Sequence, residues 1–392
     1  MSSSQKMALF NLGFRPFFLI SGIFSILFIA LWSLFYSYGW NFPSQVMTAT
    51  QWHSHEMIFG YAMGVVAGFL LTAVKNWTGV QTINGLPLFV LVITWVLARV
   101  SPFIDSEQAL LVTLVLNCIF LIGLLIALTI PVVKAKQWKQ IGILSKIFFI
   151  LVCNVLFYAG LTGYVDEGLR WGLYGGFYLI LALIFMMARR VIPFFIEKGI
   201  KEKIEIRNSR LLDIVSLFIF VAFMISDIMA PDSMVTMLFA VVLFGLHSIR
   251  LYGWYCHEIW RIPMLWSLYV AYCFLVLGFA LKAGVWFLAL SPYLSLHAFT
   301  YGGIGLMTLG MMARVALGHT GRDITQPPSV IPWAFFIIII GAIFRVILPI
   351  FESQYYLFWM KISQFCWILA FVLFILSYTS ILLKPRIDGQ KG

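Results

Sequence analysis

Charged residues are scarce in this chain. Only 10% of its 392 residues are Asp, Glu, Lys or Arg, whereas 62% are hydrophobic, and the mean hydropathy is +0.98. Nothing in the sequence resembles a soluble domain or a low-complexity linker. This balance excludes a water-soluble globular protein and indicates a polytopic membrane protein.

Cysteine and histidine are also scarce. The five cysteines include no C-x-x-C pair, and four of them fall inside predicted membrane spans. This spacing argues against a disulfide framework and favours small buried thiols. The six histidines are more informative, because an imidazole inside a membrane is costly and needs a partner.

Twelve apolar stretches are long enough to cross a membrane, since a span needs about 20 residues. They predict an all-α polytopic membrane protein with about twelve transmembrane helices, forming a single transmembrane domain over residues 1–392. An internal repeat near 120 residues implies three four-helix units, at about 1–138, 139–260 and 261–392. The predicted spans are 17–39, 53–75, 86–102, 108–133, 141–163, 171–194, 211–230, 233–250, 263–286, 292–317, 330–351 and 355–383.

The basic residues are distributed unevenly along the chain. Of the 26 Lys and Arg residues, 21 lie in or beside the two termini and the loops after even-numbered spans, while the opposite loops carry acids and few bases. Because positively charged loops stay in the cytoplasm, both termini are predicted to be cytoplasmic. The bias explains most of the +11 net charge, and it argues against nucleic acid as a partner.

The most informative stretch is residues 52–79. It begins W-H-S-H-E-M, so that ionisable side chains crowd one end of an apolar helix. The same stretch carries three glycines at four-residue spacing, Gly60, Gly64 and Gly68. This spacing places them on one side of the helix. This stripe lets another helix or a flat ligand approach the backbone. A histidine beside it is therefore a candidate for holding a metal-bearing macrocycle.

The same arrangement returns 242 residues later. A shift by 242 residues places His55 on His297 and aligns 25 residues without a gap, five of them identical. A fainter copy around residues 173–189 has no histidine. Since repeat-related helices run in the same direction, we predict that His55 and His297 face each other near the outer side and ligate one haem iron, b-type. The alternative is that each is a structural histidine, bonded to a carbonyl or to Glu56.

Three further histidines, His53, His247 and His319, are second-line candidates for a second haem or copper. His53 would point about 200° away from His55 on a helix, which makes it a candidate copper ligand or, equally, a capping residue at the membrane face. His247 lies near the inner end of span 8 and is a candidate ligand or haem-propionate partner. The alternative for His247 is a satisfied core histidine.

The segment G-H-T-G-R ends span 10. His319 lies there among glycines and bases, a setting that suits either a turn holding an anion or the termination of a helix. Arg314 or Arg322 is predicted to support an anionic group such as a haem propionate, because guanidinium groups make strong bidentate bonds to such anions; the alternative is that these arginines only set the topology. His257, in a cytoplasmic loop, is expected to be solvated.

Five segments stand out from the apolar background. They read F-R-P-F-F at 14–18, W-H-S-H-E-M-I-F-G-Y at 52–61, G-F-L-L-T-A-V-K-N-W-T-G at 68–79, R-R-V-I-P-F-F at 189–195 and A-R-V-A-L-G-H-T-G-R at 313–322. Together, and in this order, they resemble the NnrS family. The resemblance implies a bacterial inner-membrane protein that contains haem and copper and is tied to nitric oxide metabolism and nitrosative stress. The family pattern L-W-x-L-H reads L-W-S-L-Y here, with Tyr269 in place of the histidine.

A second resemblance concerns architecture. Three four-helix units with histidines in spans 2 and 10 are similar to the catalytic subunit of haem–copper oxidases and nitric oxide reductases. The middle unit, however, lacks the histidines that hold the oxidase copper. This difference argues against a binuclear oxygen-reducing centre.

The histidine pair, together with the resemblance to the NnrS family, predicts a haem-binding protein that binds, senses or turns over nitric oxide and protects against nitrosative stress. Its expected partners are the lipid bilayer, nitric oxide as a small diatomic ligand and, for turnover, an electron donor. The alternative is a membrane transporter, or a b-type electron-transfer cytochrome without nitric oxide chemistry. A transporter predicts discontinuous helices at the bilayer midplane, whereas the ionisable residues here cluster near the membrane faces.

Overall fold

Helices make up nearly the whole chain. The computed structural model describes residues 8–44, 46–104, 106–200, 206 and 208–390, and within them the chain is helical and contains no strand. Short connections join twelve long helices. These are α1 Phe14–Ser37, α2 Ala49–Thr78, α3 Leu86–Phe103, α4 Gln108–Lys134, α5 Trp138–Leu161, α6 Gly168–Gly199, α7 Arg210–Met229, α8 Met234–Trp254, α9 Pro263–Leu288, α10 at residues 292–319, α11 Ile331–Phe351 and α12 Ser353–Leu383.

Every predicted span coincides with one of these helices. In the described part of the chain, eleven helices are long and apolar enough to cross a membrane. The remaining one, α10, consists of three consecutive helical segments, Pro292–His297, Ala298–Gly305 and Leu306–His319. The prediction of an all-α polytopic membrane protein is therefore confirmed.

Local sequence chemistry sets both ends of α2. Thr48 precedes the helix, and its hydroxyl accepts a hydrogen bond from the Gln51 amide while the Gln51 side chain accepts one from the Thr48 amide. This reciprocal capping box satisfies two backbone donors that the first helical turn leaves unpaired. At the other end Gly79 follows Thr78 with φ +70°, a left-handed conformation that glycine adopts without strain.

The helices α2 and α10 share an unusual backbone. Each is α-helical up to a predicted ligand, His55 or His297, and becomes π-helical immediately after it, over Glu56–Ala62 and Ala298–Gly305. Both then return to α-helix. Such π segments are rare and are frequent at functional sites. The repeat seen in the sequence thus has a counterpart in the backbone at both histidines.

The glycine stripe of each repeat admits a helix. A Cβ added at Gly68 would lie 2.9 Å from the Cβ of Phe17 on α1, and one added at the equivalent Gly310 would lie 3.0 Å from Cδ2 of Leu268 on α9. Both glycines therefore face the helix that precedes their own span. Of the two occupants that the sequence allowed, a helix or a flat ligand, the helix lies at these positions.

Contacts divide the chain into two compact units. Unit 1 comprises Met1–Ile180, Met312–Asp323 and Phe371–Gly392, and unit 2 comprises Leu181–Met311 and Ile324–Ala370. The predicted single domain and its three four-helix units stay predictions. His55 belongs to unit 1 and His297 to unit 2, and each is described with the partners of its own unit.

Candidate functional site

His55 lies in a buried polar network of unit 1. Only 1% of the residue is exposed. Its Nδ1 lies 2.9 Å from Oε1 of Glu56, and its Nε2 lies 3.0 Å from the side-chain nitrogen of Asn154 on α5. A carboxylate accepts and an amide NH₂ donates. These partners assign the imidazole the tautomer with the proton on Nδ1 and the lone pair on Nε2.

A buried arginine holds the Glu56 carboxylate. Oε2 of Glu56 lies 3.1 Å from Nη1 of Arg99 on α3, and both side chains are fully buried. Nη2 of Arg99 donates to the side-chain oxygen of Asn117 on α4, whose amide donates to the Tyr158 hydroxyl at 3.3 Å. An unpaired charge here would cost several kcal/mol. The ion pair and its hydrogen bonds therefore make both charges tolerable inside the unit.

Gly60, on the π segment of α2, leaves room for this ion pair. A Cβ added at Gly60 would lie 2.7 Å from Nη1 of Arg99 and 2.9 Å from Oε2 of Glu56. Any larger residue must therefore displace one of the two charged groups. Gly245 on α8 is a contrasting helical glycine, because an added Cβ there meets nothing within 4 Å.

We expect Gly60→Ala to lower the free energy of unfolding by about 1–3 kcal/mol, the usual range for overpacking. Gly245→Ala is the matched control and is expected to be neutral or stabilising by up to ~1 kcal/mol, since alanine favours a helix. Thermal unfolding of the purified proteins in detergent measures the difference. Equal melting temperatures for the two variants would show that Gly60 does not confine the ion pair.

His297 has a comparable environment in unit 2. Its Nδ1 lies 2.7 Å from the carbonyl oxygen of Tyr293, so the ring donates there. Its Nε2 lies 2.9 Å from Nη2 of Arg345 on α11, and Nη1 of Arg345 donates to the Tyr356 hydroxyl at 2.5 Å. The tautomer is the same as that of His55. Each repeat-related histidine is thus accompanied by an arginine from the helix that follows its own.

His247 and His53 contact aromatic rings. In unit 2, His247 stacks on Phe185 and Phe279 with ring centroids 4.4 and 5.4 Å away, and its Nδ1 lies 2.6 Å from the Tyr272 hydroxyl. Its Nε2 is buried without a hydrogen-bond partner among the described residues. In unit 1, His53 stacks on Trp32 at 4.3 Å. One ring nitrogen of His247 is therefore satisfied and the other is not.

The segment G-H-T-G-R ends α10, as one of its two interpretations predicts. The helix stops at His319, and Gly321 has φ +76°. Nε2 of His319 lies 3.4 Å from the side-chain nitrogen of Asn76. Arg314 is buried, Arg322 is partly buried, and His257 is exposed on a short 3₁₀ turn between α8 and α9.

Several polar side chains around the two histidines were not predicted from the sequence: Arg99, Asn117, Asn154 and Arg345. A signal for the arginines existed, because both are among the few bases outside the positions that explain the topology. Asparagines inside apolar spans are a second signal, since polar groups there are expensive. Among the residues that the structure describes, no group of three or more His, Cys, Asp and Glu side chains is placed to hold a metal ion.

Comparison with known families gives one match. The model of the NnrS family, described as NnrS protein, matches residues 8–386, which is nearly the whole chain. The chain belongs to the NnrS family. A search of the curated proteins found no match. The five segments that resembled NnrS thus indicated the correct family, which is linked to nitric oxide.

The NnrS family implies a haem, and the donor chemistry of both imidazoles fits one. A metal-bound histidine usually donates its second ring nitrogen to a carboxylate or a carbonyl. His55 donates Nδ1–H to a carboxylate and His297 donates it to a carbonyl, so both keep a lone pair on Nε2. Here that lone pair accepts from Asn154 or Arg345. Nε2 is therefore the ring nitrogen through which either imidazole could bind a metal.

Tyr269 does not fit the role of the histidine that the NnrS pattern has at this position. Its hydroxyl donates to the carbonyl of Leu251 at 3.1 Å, and its ring contacts those of Tyr255 and Trp260. The Tyr269 side chain thus packs on aromatic rings and links α9 to α8 through its hydrogen bond.

Proposed function

We propose that this chain is a haem-binding protein of the bacterial inner membrane that binds, senses or turns over nitric oxide and thereby protects against nitrosative stress. The observation that carries the proposal is the pair of repeat-related histidines. Each lies where an α-helix becomes a π-helix, and each donates Nδ1–H within the protein. Membership of the NnrS family supports nitric oxide as the small ligand.

The chain's own residues have distinct roles in this proposal. His55 and His297 would hold the iron, and with both imidazoles bound a diatomic ligand would reach the metal only by replacing one of them. Glu56 fixes the tautomer of His55, and Arg99 neutralises the charge of Glu56. The fully buried surroundings exclude water from this network. Turnover of nitric oxide requires an electron donor in addition.

Spectroscopy of the purified protein tests the proposal. A Soret band and a pyridine haemochrome spectrum of b type are expected, and the ferrous protein should shift its Soret band when nitric oxide is added. Consumption of nitric oxide with a reductant identifies an enzyme, and binding without consumption identifies a sensor. A haem whose spectrum does not change with nitric oxide would favour the electron-transfer cytochrome. Protein that contains no haem, even after expression with excess haem, would favour the transporter.

Copper is the second metal in the proposal, with His53 as its candidate ligand. Metal analysis of the wild type and of His53→Ala tests it, with His257→Ala as the control. We expect copper in the wild type and in the control, and its loss from His53→Ala. Copper that is absent from the wild type, or retained in His53→Ala, contradicts this assignment.

The proposed orientation places both termini in the cytoplasm. Reporter fusions at Lys139, in the first turn of α5, should report the cytoplasmic side, and fusions at Asp166, between α5 and α6, should report the outer side. Asp105 and Lys203, predicted on the outer and cytoplasmic sides, lie outside the described residues. Reversed signals at the first two positions would reject the orientation and the outer-side depth of the two histidines.

A further inference from the structure

Three of the segments that resemble NnrS meet at one end of unit 1. The ring of Phe14, from F-R-P-F-F, lies 5.7 Å from that of His319, from G-H-T-G-R. The side chain of Asn76, from the segment that ends α2, lies 3.4 Å from Nε2 of the same histidine. Apart from the propionate contact that the sequence suggested for Arg322, the roles proposed above for His55 and His297 leave this meeting point unexplained.

The C-terminal segment covers the same place. Nη1 of Arg386 donates to the carbonyl of His319 at 3.2 Å, and the Ile387 amide donates to the carbonyl of Thr320 at 3.2 Å. Nη1 of Arg15 donates to the carbonyls of Leu382 and Lys384, at 2.9 and 2.7 Å. Parts of the chain that are far apart in sequence are thus fixed around a few basic side chains.

These side chains form a basic cluster, which we define as Arg15, Lys75, Arg322 and Arg386. The positive charge of Arg386 repels those of Arg15 and Lys75, and the charge of Arg322 repels that of Arg15. Arg15 is fully buried, yet its Nε and Nη2 have no hydrogen-bond partner in the described part of the chain. Nη1 of Arg322 is buried and lacks a partner in the same way.

The nearby acids do not balance this charge. Asp388 accepts from Nε and Nη2 of Arg386 at 2.9 and 2.5 Å, and this bonding lowers the pKa of Asp388 to about 2. The carboxylate is therefore ionised and already paired at neutral pH. Even when Asp323 is counted, which follows Arg322 in the chain, four bases face two acids.

We propose that the basic cluster binds an oxyanion of the phosphate class. Buried guanidinium N–H groups without partners are costly, and a phosphate accepts several charge-assisted bonds from the planar fork of an arginine. Arg322 is only partly buried, which leaves the cluster open to solvent on its side. This end of unit 1 is the one that the charge bias assigns to the cytoplasm. Inorganic phosphate and the headgroup phosphate of an anionic lipid are the two sources of that chemistry there.

Thermal unfolding with and without the anion tests the site. Delipidated protein in detergent is titrated with inorganic phosphate at constant ionic strength, against chloride. In parallel, the protein is placed in nanodiscs of phosphatidylcholine with and without phosphatidylglycerol. A rise in melting temperature with inorganic phosphate identifies a soluble oxyanion, and a rise only with phosphatidylglycerol identifies a lipid headgroup. No rise in either arm overturns the proposal.

Two variants test whether the rise in melting temperature comes from the basic cluster. Arg322→Gln removes one guanidinium group and leaves the bonds from Arg15 to backbone carbonyls intact. It should raise the anion concentration needed for half-maximal stabilisation about tenfold. Arg15→Lys keeps the charge but loses the fork and is expected to act in the same direction. Arg210→Gln, at the exposed start of α7, is the control and should behave like the wild type. An Arg322→Gln variant with the response of the wild type would reject the site.

Discussion

Replacing Arg99 with leucine is expected to lower the free energy of unfolding by about 3–5 kcal/mol, because it leaves the Glu56 carboxylate buried and unpaired. Both side chains are fully buried, and Arg99 is the ion-pair partner of Glu56. Equilibrium unfolding in mixed micelles, together with the yield of folded protein, measures the loss. This substitution should destabilise the fold more than Gly60→Ala or Arg345→Leu.

Two comparisons separate the charge effect from lost packing. The double variant Glu56→Leu with Arg99→Leu should recover most of the stability, since apolar residues replace a buried ion pair at little cost. Arg345→Leu is the matched single variant in unit 2. It removes bonds to the neutral partners His297 and Tyr356 and should cost only about 1–2 kcal/mol. Equal losses for Arg99→Leu and Arg345→Leu would contradict the assigned role of the Glu56 charge.

Substituting either His55 or His297 with alanine is expected to abolish the low-spin haem spectrum. One imidazole alone leaves the iron five-coordinate or unbound, so the haem that remains after purification should be high-spin or absent. Glu56→Gln keeps the ligand but weakens the bond to its Nδ1, and it should reduce haem affinity about 10–100-fold, as is usual for groups that orient a metal-bound histidine. Optical and electron paramagnetic resonance spectra report both effects.

His257→Ala is the control for these variants, because His257 is exposed on a 3₁₀ turn. It should retain the wild-type spectrum. His247→Ala is the informative alternative, since Nε2 of His247 is buried without a partner in the described structure. If the low-spin spectrum survives in His55→Ala or His297→Ala but is lost in His247→Ala, His247 is a haem ligand and the pair His55 and His297 is not.

The sequence predicts most of the fold because a bilayer leaves a chain few options. Backbone groups in lipid must pair within their own segment, so apolar runs of sufficient length become helices. The repeat also predicts that His55 and His297 occupy equivalent positions, and both lie at the start of a π segment. The π segments themselves could not be predicted, because apolar residues on all sides of α2 hide any change in helical period.

The partners of the histidines were not predictable, because they come from other helices. Asn154 and Arg99 lie far from His55 in sequence, and only tertiary packing brings their side chains to it and to Glu56. The charge bias nevertheless contained a clue. Arg99, Lys282 and Arg345 are exceptions to it, and each has a partner within its unit; Lys282, for example, lies 2.5 Å from Asp227.

The π segment after His55 has a consequence for how such a site can be gained or lost. A π turn contains one residue more than the α turn it replaces, and one residue corresponds to about 100° of rotation along an α-helix. Deleting a single residue between Glu56 and Ala62 would restore the α-helix and swing His55 and Glu56 away from Asn154 and Arg99, while Gly64 and Gly68 kept their packing on α1. Insertion of one codon is therefore enough to change the direction of the imidazole while the packing of Gly64 and Gly68 on α1 stays the same.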